Sequence, residues 1–187
     1  MPLSPPALRT LEHTRSVIYH GYKRADGLWD IEGELVDTKP YVTVSLTGNL
    51  DHPANAPIHS MAIRATIDLA LVVQSIEVSM DAFPLHDCPR ARAALQTMVG
   101  CSMTSGWRKA VQDNLGGVAS CTHLRELLNN MATAAFQTLY KALAESASKD
   151  PDRAPPYVGQ CTGWEWDGEG VRVHHPQFYK RKPMAKS

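Results

Sequence analysis

Cys121 and His123 flank Thr122 at the point where an apolar spacing of three and four begins, and this is the most chemically loaded short motif in the chain. At a helix start, unpaired backbone N–H groups and the helix dipole favour a thiolate over a thiol. A thiolate is both a nucleophile and a metal ligand. Cys88 stands at a second helix start, in Asp87-Cys88-Pro89, and His59 stands at a strand entry just after a long loop. Together His59, Cys88, Cys121 and His123 make a Cys₂His₂ set suited to a single zinc or iron ion. The spacing is not that of a zinc finger, because no Cys-x-x-Cys occurs. A plainer reading fits the same residues: cysteine is often a small buried side chain, and a histidine can simply cap a helix.

Carboxylates supply the second constellation. Asp26, Asp30 and Glu32 crowd around Trp29, and paired carboxylates can do general acid–base work. On the open face of a hairpin such groups are more often solvated charges. Asp30, Glu32, Asp37, Lys39 and Arg64 are the candidate bases and positioning groups, although Asp37-Thr38-Lys39-Pro40 also reads as a turn holding a structural ion pair. His174-His175 reads as a surface pair. No Walker loop, Gly-x-Gly-x-x-Gly after a strand, or Gly-x-Ser-x-Gly is present.

The elements that must position these groups follow from periodicity. Residues 16–22 read as a strand, Arg24-Ala25-Asp26-Gly27 as a turn, and residues 28–37 as its hairpin partner. In that partner Trp29, Ile31 and Leu35 share one face and Asp30, Glu32 and Glu34 the other. Residues 41–46 continue the sheet, residues 48–57 form a loop, and the stretches 60–67 and 71–81 alternate again. Short connections make these roughly five strands mostly antiparallel. Helices follow over about 88–99, over 106–115 with Ser105 as its cap, and from Cys121 to about Ser146. The expectation is an α+β fold with the three helices packed on one face of the sheet, the last one long. Residues 1–15 are a Pro-rich lead, 16–148 the core domain, and 149–187 a Pro-containing linker and tail. Trp164 and Trp166, at i and i+2, suggest a short strand that docks on the domain or on a second subunit.

Composition narrows the function classes. Lys+Arg equals Asp+Glu at 19 each, so no global field draws the chain to nucleic acid or anionic lipid. The basic residues Lys180, Arg181, Lys182 and Lys186 read as a solvated terminus. The longest apolar run, Leu69 to Val73, is too short to span a bilayer, and the first twenty residues lack a signal-peptide pattern. A cytoplasmic protein with reduced thiols is expected, so Cys88, Cys101, Cys121 and Cys161 are not read as disulfides.

The run from Gly21 to Gly33, Asp37-Thr38-Lys39-Pro40, Pro57-Ile58-His59-Ser60-Met61, Gly116-Gly117 with Cys121-Thr122-His123-Leu124, and Glu126-Leu127-Leu128 resembles a bacterial family catalogued as domain of unknown function 2889. The resemblance covers roughly residues 15–145. It departs where the family carries His-Asp-Met and this chain has His59-Ser60-Met61. It implies no set reaction; its members are associated with catabolism of aromatic compounds. A second, topological resemblance is to the scaffold proteins of iron–sulfur cluster assembly, in which three cysteines and a histidine converge at one end of a sheet. It implies His59 in place of the first scaffold cysteine, Cys88 near the second, and Cys121 with His123 at the third. Replacing a thiolate by imidazole shifts the preference from a cluster to a single ion. The expected function is a metal-dependent lyase or hydrolase acting on a small aromatic or acyl molecule. A non-catalytic metal or iron–sulfur carrier and a protein-binding subunit remain open beside it.

Overall fold

Period-two alternation builds the sheet. In the computed structural model, which describes residues 3–44, 51–150 and 152–180, β2 (Trp29–Thr38) buries Trp29, Ile31 and Leu35. β5 (Pro57–Ile67) buries Met61, Ile63, Ala65 and Ile67 by the same rule. With β1 (Thr14–Lys23) and β6 (Val73–Ala82) they form a four-stranded antiparallel sheet in the order β1-β2-β5-β6. Thr43–Val44 (β3) and Asp51–His52 (β4) pair with each other apart from this sheet. The expected extension of the sheet through residues 41–46 is therefore corrected for 43–44, and residues 45–46 lie outside the described residues, as do 48–50 of the expected loop. β1 begins inside the stretch expected to be a lead-in.

The helices follow the strands, as an α+β chain requires. The expected helix over 88–99 is broken into a 3₁₀ turn at Cys88–Arg90, α1 (Ala91–Ala94) and a second 3₁₀ turn at Leu95–Met98. Tertiary pairing explains the break. Gly100 N–H donates to Val73 O at 2.8 Å and Val73 N–H to Cys101 O at 2.9 Å, so the chain must turn extended at Val99. α2 (Trp107–Leu115) is entered through Gly106 at φ +90° and has no side-chain cap, which corrects the expected cap at Ser105. α3 (Thr122–Ala147) is the long helix.

Leu124, Leu127, Leu128, Met131 and Ala135 of α3 are fully buried, and with the inward residues of β2 and β5 they make the core. Each such leucine contributes about 1.5–3 kcal/mol by leaving water. Two glycines let the helix lie close. A Cβ on Gly33 would come 3.2 Å from Leu127 Cδ1, and one on Gly21 would overlap the Thr138 side chain. Arg15, at the other end of β1, meets Glu126 in the first turns of α3. Strand and helix thus run the same way, about 20 Å of strand from Arg15 to Gly21 beside about 18 Å of helix from Glu126 to Thr138.

Two compact units divide the chain at Thr138 and Leu139, inside α3. The second, Leu139–Ser187, is organised by rings. Tyr157 lies 5.1 Å from Tyr140 and 4.8 Å from Trp164, centroid to centroid, and its hydroxyl is 2.8 Å from His175 Nε2. Burial, with Tyr140 beside it, pushes the Tyr157 hydroxyl up to about 12. The Trp164–Trp166 segment is no strand: Thr162–Trp164 is a 3₁₀ turn, followed by α4 (Glu169–His174). Among the described residues no helix is long and apolar enough to cross a membrane.

Candidate functional site

The apolar face of the sheet changes character at one end. The alternation that buries Trp29, Ile31 and Leu35 places Asp37 on that same face, where only 2 % of it is exposed. The parity of Met61, Ile63, Ala65 and Ile67 does the same for His59. Pairing sets Arg15 opposite Asp37 on one side and His59 opposite it on the other. Three adjacent strands therefore contribute one polar row, Arg15–Asp37–His59, beneath the first turn of α3. The register between β2 and β5 slips beside this row, with Ile58 the extra residue immediately before His59. Such bulges re-aim the neighbouring side chains.

Asp37 is the hub. Arg15 grips it side-on, with Nε 2.8 Å from Oδ1 and Nη2 2.8 Å from Oδ2. His13 Nε2 lies 3.0 Å from Oδ1. Burial alone would raise the Asp37 carboxyl, but the Arg15 hydrogen bonds and charge, with His13 and His59, take it down to about 2. A buried carboxylate is thereby kept ionised. His59 Nδ1 stands 3.0 Å from Asp37 Oδ2, yet the approach is off the line of a hydrogen bond and this buried nitrogen has no hydrogen-bond partner. His123 Nε2 is 3.7 Å from the same oxygen. The two imidazoles lie against each other with centroids 3.9 Å apart and planes tilted by 35°. Burial lowers both histidines; Asp37 partly offsets it at His59, and His59 and Arg15 add to it at His123.

Among the described residues, Asp37, His59 and His123 form a group whose ligand atoms all lie within 4.8 Å of one another. Two ligands about 2.1 Å from one ion, at angles between tetrahedral and octahedral, stand about 3.0–3.4 Å apart. The distances of 3.0 and 3.7 Å bracket that span. Cys121 is not in that group. Its Sγ is 3.6 Å from His123 Nδ1, the nitrogen other than the one facing Asp37.

The remaining expected residues fall elsewhere. Cys88 sits in the turn after β6 and is not in the group. Asp30 and Glu32 are on the opposite face of β2: Asp30 accepts from Thr66 Oγ1 at 2.7 Å, and Glu32 accepts from Arg64 Nε at 2.7 Å. Arg64 also reaches Glu77, so it belongs to a cross-strand charge ladder. Lys39 donates to the Tyr41 hydroxyl at 3.0 Å. Asp37 is a strand residue paired with Arg15 across the sheet, not part of a turn ion pair. Ser60 points away from His59, so the departure at that position leaves the row intact. His13, Arg15 and Glu126 complete the site and were not among the candidates. Their signals were the alternation of His13 and Arg15 at a strand start and the i, i+3 spacing of His123 and Glu126.

The family described as "Protein of unknown function (DUF2889)" matches residues 13–137. That span begins at His13 and ends one residue before the boundary between the two compact units. Comparison with curated proteins and with solved structures finds no match.

Proposed function

The chain belongs to the DUF2889 family, and we propose that it is a metal-dependent enzyme of hydrolase or lyase type that holds one zinc or iron ion on Asp37, His59 and His123. One observation carries this reading: a buried His59 Nδ1 without a hydrogen-bond partner faces the same carboxylate oxygen as His123 Nε2. Two imidazoles and one carboxylate suit zinc or ferrous iron and leave coordination positions for water or substrate. The bound ion supplies Lewis-acid polarisation of a substrate oxygen or an activated water. Arg15 fixes the Asp37 carboxylate from its far side, and Cys121 orients His123 through Nδ1. His13, bonded to Asp37 Oδ1 and 44 % exposed, links the site to solvent and can carry a proton there. A small aromatic or acyl compound is the substrate class the family resemblance suggests. An iron–sulfur carrier is less well supported, since Cys88 is not in the group.

Metal analysis of anaerobically purified protein tests this. About one equivalent of zinc or iron is expected, with His59→Ala and His123→Ala taking up far less. Metal-free protein that binds added zinc no better than His59→Ala would end the proposal.

A second reading rests on the 3.6 Å between Cys121 Sγ and His123 Nδ1. Cysteine, histidine and Asp37 then form a nucleophile, base and orienting group in line. Rapid alkylation of Cys121 by iodoacetamide that His123→Ala abolishes, in protein that takes up no metal, would favour this reading.

A further inference from the structure

Arg15 spends Nε and Nη2 on Asp37, which leaves Nη1 as its outward arm. Nη1 meets Glu126 Oε2 at 3.3 Å, and Glu126 is 55 % exposed. A charge-assisted hydrogen bond of full strength is about 2.7–2.9 Å long, so this one is slack. The contact nevertheless shows what fits beside Arg15 at the edge of the row: a carboxylate. Two carboxylates against one guanidinium give this corner one negative charge in excess, which favours a cation. A divalent ion reverses the balance, and the loaded site then favours one small anion.

Resting on the metal reading above, we infer that the substrate is a small carboxylate whose carboxyl group displaces Glu126 from Arg15 Nη1 while reaching the ion held by Asp37, His59 and His123. Glu126 is an internal stand-in for that group. It covers Arg15 when substrate is absent, and its exposed side chain in the second turn of α3 can swing into solvent without disturbing the helix.

The test uses full-length chain loaded with cobalt(II), whose visible spectrum reports the ligands of the ion, titrated with acetate and, separately, with inorganic phosphate. Acetate is expected to change the spectrum saturably. Glu126→Gln should tighten acetate about two- to five-fold, the worth of an exposed ion pair. Arg15→Lys, which keeps a charge for Asp37 but lacks Nη1, should weaken it. Glu126→Gln should match wild type in cobalt content and unfolding midpoint; Arg15→Lys, which also gives up the two-pronged grip on Asp37, is compared at matched cobalt occupancy. If cobalt binds but acetate leaves the spectrum unchanged, or if Glu126→Gln binds acetate no tighter, the inference fails and the metal reading stands. Phosphate binding as tight as acetate overturns the carboxylate class. Failure to take up cobalt overturns the metal reading and the inference together.

Discussion

Replacing Asp37 by Asn removes one charge from the row and little volume. The carboxyl is held at about 2 against an ordinary 3.8, and each unit is worth about 1.4 kcal/mol, so ionised Asp37 contributes about 2 kcal/mol to the folded state. Breaking a fully buried ion pair costs about 3–5 kcal/mol, but Arg15 is about one-third exposed and can rehydrate, which favours the smaller figure. The sign of the pH dependence follows. The folded value is depressed, so the unfolded chain binds more protons between pH 4 and pH 2, and stability falls as pH drops through that window. Urea unfolding with chelator present should therefore show Asp37→Asn about 2 kcal/mol less stable than wild type at pH 7. That gap should narrow as pH approaches 2, where about half of the folded wild type carries a neutral carboxyl. A gap as wide at pH 2.5 as at pH 7 would refute the ionic origin of the Asp37 contribution.

Gly21→Ala should destabilise the first unit by about 1–3 kcal/mol through overlap with Thr138, and a second change, Thr138→Ala, should recover much of that in a double-mutant cycle followed by thermal unfolding. Zinc affinity should stay level as pH falls from 8 to 6.5 and weaken only below the ordinary histidine range, since burial holds His59 and His123 neutral; a decline that begins above pH 7 would contradict this. Cys88→Ser and Cys101→Ser should leave metal content unchanged, whereas Cys121→Ser, which alters the partner of His123 Nδ1, should weaken metal about ten-fold or more without abolishing it. Equal loss in Cys88→Ser and Cys121→Ser would restore the four-ligand set expected from the sequence.

The hairpin, the inward faces of β2 and β5, and the long helix from Thr122 were legible because each repeats a period over many residues. The same alternation carried the site. It put Asp37 and His59 among buried residues, the position where an acid or imidazole demands a partner. Reading Asp37 together with Asp30 and Glu32 hid that, since the three are similar in type but lie on opposite faces. Cys88 entered the candidate set from a helix start and a topological likeness, and neither fixes a distance. The breaks over 88–99 were out of reach because they answer to Val73, far away in the chain. Arg15 and Glu126 were hidden for the same reason: each is ordinary in its own segment and meets the other only when α3 lies on the sheet.

The polar row and the helix above it draw their side chains from β1, β2, β5 and α3, so no fragment short of the whole unit assembles the site. On the proposed metal reading, an ion bound there would act as a rivet. If only the assembled unit binds it, occupancy at one hundred times Kd would add about 2.7 kcal/mol to folding. Amide hydrogen exchange would read that rivet directly. On chelation, protection should fall first at the opening turn of α3 and at the Asp37 end of β2, while the interior of the sheet around Ile31 and Ile63 keeps its own.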